Sequence, residues 1–154
     1  MPKIDPAKAP TAHGTRYPPP YDAPCHKRQR FKLGDAANLT QFGVNLCRLP
    51  PGTWTSQRHW HTAGDEFVWV VSGEVVLVTN RGEEVLRSGE CAGFKAGVAD
   101  GHQFQNRSSA EAVLLEVGSR ITGDEAHYPD IDLHSGPGGY RRKDGRPYDT
   151  GPRR

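Results

Sequence analysis

Residues 52–73 read GTWTSQRHWHTAGDEFVWVVSG. Two alternating runs, TWTSQRHWH and EFVWVVS, flank the turn-forming TAGD. Branched and aromatic residues in a period of two favour a half-buried strand over a helix. Successive strand side chains point to opposite faces, so His59 and His61 share one face and Trp60 takes the other. In the second run the same phase sets Glu66, Val68 and Val70 inward and Phe67, Trp69 and Val71 outward. The continuation EFVWVVSGEVVLVT reads as a hairpin turning at Ser72-Gly73.

Further strand-like runs lie on either side: FGVNLCRL before, ended by Pro50-Pro51-Gly52, then EEVLRSG, ECAGF, HQFQNRS and AEAVLLEVGS after. No segment holds a helical period beyond a few residues, and no internal repeat is evident. About eight short strands at this spacing predict an all-β sandwich or barrel. The expected organisation is an extended Pro-rich arm over 1–38, a barrel over 39–120 and a Gly/Pro-rich basic tail over 121–154.

The arm contains TRYPPPYDAP, which favours polyproline conformation. Two readings stay open for it: a loose tail, or an ordered arm whose tyrosines pack on the barrel or a neighbouring subunit. Beyond Ser119 the chain is rich in Gly, Pro and charge, so no core is expected there. Six basic and two acidic residues between Arg141 and Arg154 read first as a solvated tail and second as an anion-binding or subunit-clasping one.

A chain of 154 residues is one average domain. With 18 Gly, 13 Pro and only 34% hydrophobic residues, it suits a turn-rich β fold. A net charge of +2 gives no support for nucleic acid as a partner. No apolar run approaches the roughly 18 residues of a membrane span, and MPKIDPAKAP lacks the apolar core of a secretion signal. Cys25, Cys47 and Cys91 are odd in number and widely spaced, so a cytoplasmic location is expected. Cys91, in CAGF, is expected to be an inert buried thiol.

His102 opens HQFQN, where it shares a face with Phe104 and Asn106. A lone HxH is more often a pair of surface or core histidines. Four residues, His59, His61, Glu66 and His102, on strands of matching phase point instead to a metal. A carboxylate leading an apolar strand is costly to bury unless it is paired or bound to a cation. Three imidazoles and one carboxylate suit one divalent transition metal (Fe, Mn, Co, Ni, Cu or Zn), whereas Mg and Ca prefer oxygen shells. Val68, Val70 and Phe104 are expected to line the cavity. Asn106 and Gln103 are read either as substrate contacts or as strand-end hydrogen bonders. Asp65 reads as a turn residue facing away from the site. Trp54, Trp60 and Trp69 read as packing residues, and His26, His127 and His134 as surface histidines.

These residues also carry a family resemblance. Gly52, His59, His61, Glu66 and Gly73 are similar to the first motif of the cupin superfamily, with one residue more than usual between Gly52 and His59. Gly89, Gly97, His102 and Asn106, in GECAGFKAGVADGHQFQN, resemble the second. Lys95 stands where a proline is usual, and four residues rather than two separate Gly97 from His102. The short gap between the motifs, Glu74 to Ser88, resembles that of compact single-domain microbial cupins. The resemblance spans about residues 42–118 and implies a double-stranded β-helix (jelly-roll) barrel with a metal inside, commonly in a homodimer.

Four protein ligands leave open positions on a five- or six-coordinate metal, as catalysis requires. The expected function is that of a metal-binding cupin acting on a small molecule, foremost a sugar or sugar-phosphate isomerase or epimerase. An Fe(II)-dependent dioxygenase and a non-enzymatic small-molecule sensor remain as alternatives, because this fold hosts all three. No base for an isomerase is placed by the sequence. Lys95 is the one candidate for phosphate contact, set against the plainer reading of a solvent-exposed loop lysine.

Overall fold

The computed structural model describes residues 3–149. Its strands are β1 (Thr11–His13), β2 (Gln29–Lys32), β3 (Phe42–Leu49), β4 (Trp60–His61), β5 (Glu66–Ser72), β6 (Glu74–Thr79), β7 (Gly82–Arg87), β8 (Cys91–Phe94), β9 (Gln103–Gln105), β10 (Ala112–Ser119), β11 (Ala126–Tyr128), β12 (Leu133–Gly136) and β13 (Gly139–Arg141). One short helix, α1 (Leu33–Ala36), and two 3₁₀ turns complete the elements among the described residues. The chain is thus nearly all-β, as its alternating pattern predicts.

The strands form three antiparallel sheets, in the orders β1-β2-β3-β10-β5-β8, β7-β6-β9 and β13-β12-β11-β4. The first two face each other in jelly-roll fashion and enclose the main core. Cys47, Leu49, Val68, Val70, Ala112 and Leu114 come from one side, and Val75, Leu77, Leu86 and Phe104 from the other. The inward phase expected for β5 holds, since Val68 and Val70 are buried and Phe67, Trp69 and Val71 are exposed.

The expected hairpin at Ser72-Gly73 does not form. β5 pairs with β10 and β8, while β6 pairs with β7 and β9. One residue, Gly73, separates β5 from β6. That is fewer than a two-residue hairpin loop needs, so the chain turns a corner and passes from one sheet to the other. Gly73 has φ of +79°, and a Cβ there would sit 2.8 Å from the Glu111 carbonyl oxygen. Only glycine fits that corner. The run TWTSQRHWH is also less regular than its alternation suggests. It is strand only at Trp60–His61, with isolated bridges from Trp54 to Gln105 and from His59 to His102.

Among the described residues, both the Pro-rich arm and the segment beyond Ser119 are built into the fold. In the Pro-rich arm β1 pairs with β2, and β2 extends the large sheet by pairing with β3. Arg28 anchors this arm. Its Nε and Nη2 donate to the Gly14 carbonyl at 3.1 and 2.6 Å, and its Nη1 donates to the Thr55 carbonyl. Arg30 makes a two-pronged ion pair with Glu116 at 2.6 and 2.8 Å, geometry that adds direction as well as attraction.

Beyond Ser119, where no core was expected, β11 pairs with β4 and carries a second apolar cluster. Tyr17 and Cys25 of the arm pack there against Ala126, Tyr128 and Leu133. Tyr17 meets Tyr128 edge to face at 5.6 Å. Cys25 and Cys47 are buried, but Cys91 is exposed, contrary to expectation. It starts β8, the outermost strand of the large sheet, and its side chain takes the outward phase. No helix among the described residues is long and apolar enough to cross a membrane.

Candidate metal centre

His59 and His102 face each other across an antiparallel bridge. His59 N donates to the His102 carbonyl at 3.1 Å, and His102 N to the His59 carbonyl at 2.8 Å. This reciprocal pair places both imidazoles on one side, with ring centroids 4.8 Å apart. His61 follows on the same face, its ring 5.1 Å from that of His59. Glu66 enters from the first residue of β5. Three Nε2 atoms approach its Oε2: His102 at 2.8 Å, His59 at 3.6 Å and His61 at 3.7 Å. The structure therefore brings together all four residues that the strand phase singled out.

The outer nitrogens of two rings are already committed. His59 Nδ1 lies 2.8 Å from the Gln57 carbonyl, which can only accept, so this nitrogen carries the proton. His61 Nδ1 lies 2.6 Å from Asp124 Oδ2. Both arrangements leave the Nε2 lone pair turned inward, the tautomer a metal ligand needs. The third ring is held by packing, with Phe94 stacked on His102 at 3.5 Å and 6°. His102 Nδ1 is buried without a partner. A polar group left so is costly and marks a place where function outweighs stability.

The donor set and the inward lone pairs of His59 and His61 fit a divalent transition metal. His59, His61 and Glu66 alone offer donor atoms all within 4.8 Å of one another, and His102 joins them through Glu66.

Electrostatics favour the charge state such a site requires. Burial by itself would raise the Glu66 carboxyl. The hydrogen bond from His102, with the neighbouring His59 and His61 rings, outweighs it and holds this group well below the usual carboxylate range. Burial also lowers His102, only partly offset by its bond to Glu66, so the ring is neutral near pH 7.

Sequence reading missed Asp124 altogether. It lies in the turn before β11, and no local pattern marks it as a partner of a histidine 63 positions earlier. Its carboxylate also accepts from the Ala63 N at 2.8 Å, the Gly64 N at 3.2 Å and Thr62 Oγ1 at 3.3 Å. Burial would raise this carboxyl, but the Ala63 N–H and His61 more than offset it and lower it. A carboxylate pinned in this way fixes the His61 ring and strengthens it as a ligand. We expect Asp124→Asn to weaken metal binding about 10–100-fold. Competition against a chromophoric chelator measures this, and unchanged affinity would remove Asp124 from the site.

A cavity of about 210 Å³ opens onto these residues. It is lined by His61, Glu66, Phe94, Lys95, Asp100 and His102, among others. The lining expected from sequence is thus corrected. Val68, Val70 and Phe104 lie deeper, in the packed core, so they close the floor of the barrel rather than face a ligand. Asn106, just past the end of β9, serves strand-end hydrogen bonding. Its Nδ2 donates to the Leu49 and Ala110 carbonyls at 2.7 and 2.8 Å, and its Oδ1 accepts from Ser108. Asp65, as expected, serves the loop, accepting from Ala96 N at 2.8 Å.

The four residues between Gly97 and His102 bring Asp100 to the cavity, the only lining carboxylate besides Glu66 among the described residues. Asn80 pins this loop, donating to Asp100 Oδ1 at 2.8 Å and to the Ala99 carbonyl at 3.0 Å.

No curated protein matches the chain. The Cupin domain model matches residues 45–118. Among solved structures, a cupin-superfamily sugar phosphate isomerase from Silicibacter pomeroyi is 44% identical, with 96% of each chain covered and a TM-score of 0.89. A protein from Acidithiobacillus ferrooxidans, provisionally described as a sugar phosphate isomerase, is 27% identical, with 75% of this chain and 74% of that chain covered and a TM-score of 0.70. A cupin protein from Bacteroides fragilis shares the fold at 22% identity and a TM-score of 0.53, covering 60% of this chain and 76% of that one. With its sheets, its paired motifs and these relatives in agreement, the chain belongs to the cupin superfamily.

Proposed function

We propose that this cupin is a metal-dependent isomerase of a small sugar phosphate, with His59, His61, Glu66 and His102 as the metal ligands. The observation that carries the proposal is the convergence of three Nε2 atoms on Glu66 Oε2, beside a cavity that also holds one cation and one further carboxylate. The descriptions of the Silicibacter pomeroyi and Acidithiobacillus ferrooxidans proteins support the same substrate class.

A divalent metal bound there would supply Lewis-acid polarisation of neighbouring substrate oxygens. The chain's own residues supply the rest. Lys95, at the cavity rim, attracts the phosphate and orients the sugar. Asp100 takes the proton from the hydroxyl-bearing carbon beside the carbonyl and returns it to the carbonyl carbon, while the hydroxyl proton passes to the former carbonyl oxygen, so that the two carbons exchange oxidation states with no outside oxidant. Phe94 holds His102 in plane and keeps water from that flank.

The test is turnover of sugar phosphates under anaerobic conditions in D₂O, followed by NMR. Isomerisation with deuterium entering the product at one of the exchanging carbons is expected. Turnover that requires and consumes O₂ would overturn this reading in favour of a dioxygenase. Ligand binding without any turnover would favour a sensor.

We further propose that two copies associate through the outer face of the large sheet. Phe67, Trp69 and Val71 project there from β5 at 39, 42 and 45% exposure, an apolar row that a monomer would leave in water. Sedimentation should give a particle of two chains, reduced to one by Trp69→Glu. A monomeric parent protein would exclude the dimer.

A further inference from the structure

We propose that Glu125, His127 and His134 form a second, weaker site for a divalent transition metal on the outside of the four-stranded sheet. The register lines up Trp60, His127, His134 and Arg141 across β4, β11, β12 and β13. His61 pairs with Ala126 in the neighbouring row, so His127 and His134 project from the opposite face to His61. This cluster is therefore separate from the internal centre, although both use β4 and β11.

His127 and His134 sit directly across from each other, with ring centroids 4.5 Å apart at 83°. Glu125, two residues before His127, turns its Oε2 to within 3.4 Å of His134 Nε2. One donor atom from each of the three lies within 4.8 Å of the others, and all three residues are half-buried. Small rotamer adjustments would bring them to metal bonds of about 2.0–2.2 Å.

Two further observations point to a ligand rather than a chance cluster. Trp60 stacks on His127 at 4.5 Å and 16°, fixing one imidazole and shielding one flank. Among the described residues, Glu125 is the polar partner of His134, and neither imidazole is hydrogen-bonded to the backbone. Arg141, the next residue in the row, leans its guanidinium toward Gly138.

Two imidazoles and a carboxylate select an imidazole-seeking ion such as Zn²⁺ or Ni²⁺ over Mg²⁺ or Ca²⁺. With three donors at the surface, the remaining positions belong to water, so binding is weaker and exchanges faster than in the barrel. An ion there would staple β11 to β12 and steady the segment that carries Asp124 and Tyr128 to the internal centre.

The experiment is calorimetric titration of the metal-free full chain with Zn²⁺. Two equivalents are expected, the second at least about tenfold weaker. Glu125→Gln with His134→Gln should abolish only the second, and His59→Ala with His61→Ala should leave it in place. In that latter background Zn²⁺ should still raise the melting temperature, as any ligand of the native state does. Circular dichroism matching the parent protein establishes that the Glu125/His134 variant is folded. A single equivalent in the parent, or a weak event that persists in the folded Glu125/His134 variant, would overturn the proposal. Loss of the strong event alone in the His59/His61 variant bears on the internal centre and leaves this site standing.

Discussion

Replacing His59 and His61 together by alanine is expected to abolish metal binding at the proposed centre and to reduce turnover by more than about 100-fold. That effect exceeds the 10–100-fold typical of losing one orienting partner, because two of the four donors disappear. The fold should survive. His61 lines the cavity, and neither residue belongs to the apolar cluster of Val70, Phe104 and Leu114. Removing them also strips Glu66 of two groups that keep it ionised, leaving His102 as its partner. Metal analysis and steady-state kinetics on the same preparation check the prediction. Full metal content with normal turnover would refute it.

Asp100→Asn is expected to retain the metal and to lower kcat by about 10²–10⁴-fold, the range typical of a positioned proton-transfer group. Asparagine keeps an oxygen for the Asn80 N–H that pins the loop, so structure is preserved while the base is lost. Lys95→Ala should act differently, raising KM for a phosphorylated sugar far more than it lowers kcat. It should leave binding of the unphosphorylated sugar unchanged. Measuring kcat and KM separately for both variants distinguishes the roles. If Asp100→Asn turned over normally, the proton would have to move through another group.

Local chemistry explains how much of this was legible beforehand. The four proposed ligands lie on or beside strands of two to seven residues, and the strand period alone sets His59, His61 and Glu66 toward one interior. The inward phase of Val68, Val70 and Phe104 was equally readable, but phase does not report depth. Those side chains fill the barrel floor, while the cavity wall comes from Phe94, Lys95 and Asp100.

What stayed hidden was non-local. Asp124 reaches His61 across 63 positions, and its TGDE context reads only as a turn. The general need of a metal-bound imidazole for an acceptor on its outer nitrogen was the one available signal. Ser72-Gly73 looked like a hairpin because turn residues encode a change of direction, not the sheet that receives the next strand. Composition averaged away the sparse core residues of the tail. Tyr128 and Leu133 pack tightly amid glycine, proline and charge, because the arm delivers Tyr17 and Cys25 to meet them. His127 and His134 were read as surface histidines for the same reason, since their alignment across β11 and β12 depends on pairing that no short window contains.

Elemental analysis of tag-free protein, purified without chelators and dialysed to remove loosely held ions, addresses the proposed metal centre itself. About one equivalent of a first-row transition metal per chain is expected in the parent protein. None is expected once His59 and His61 are both alanine. A metal-free parent protein that isomerises sugar phosphates at full rate, or a double variant that keeps its metal, would contradict it.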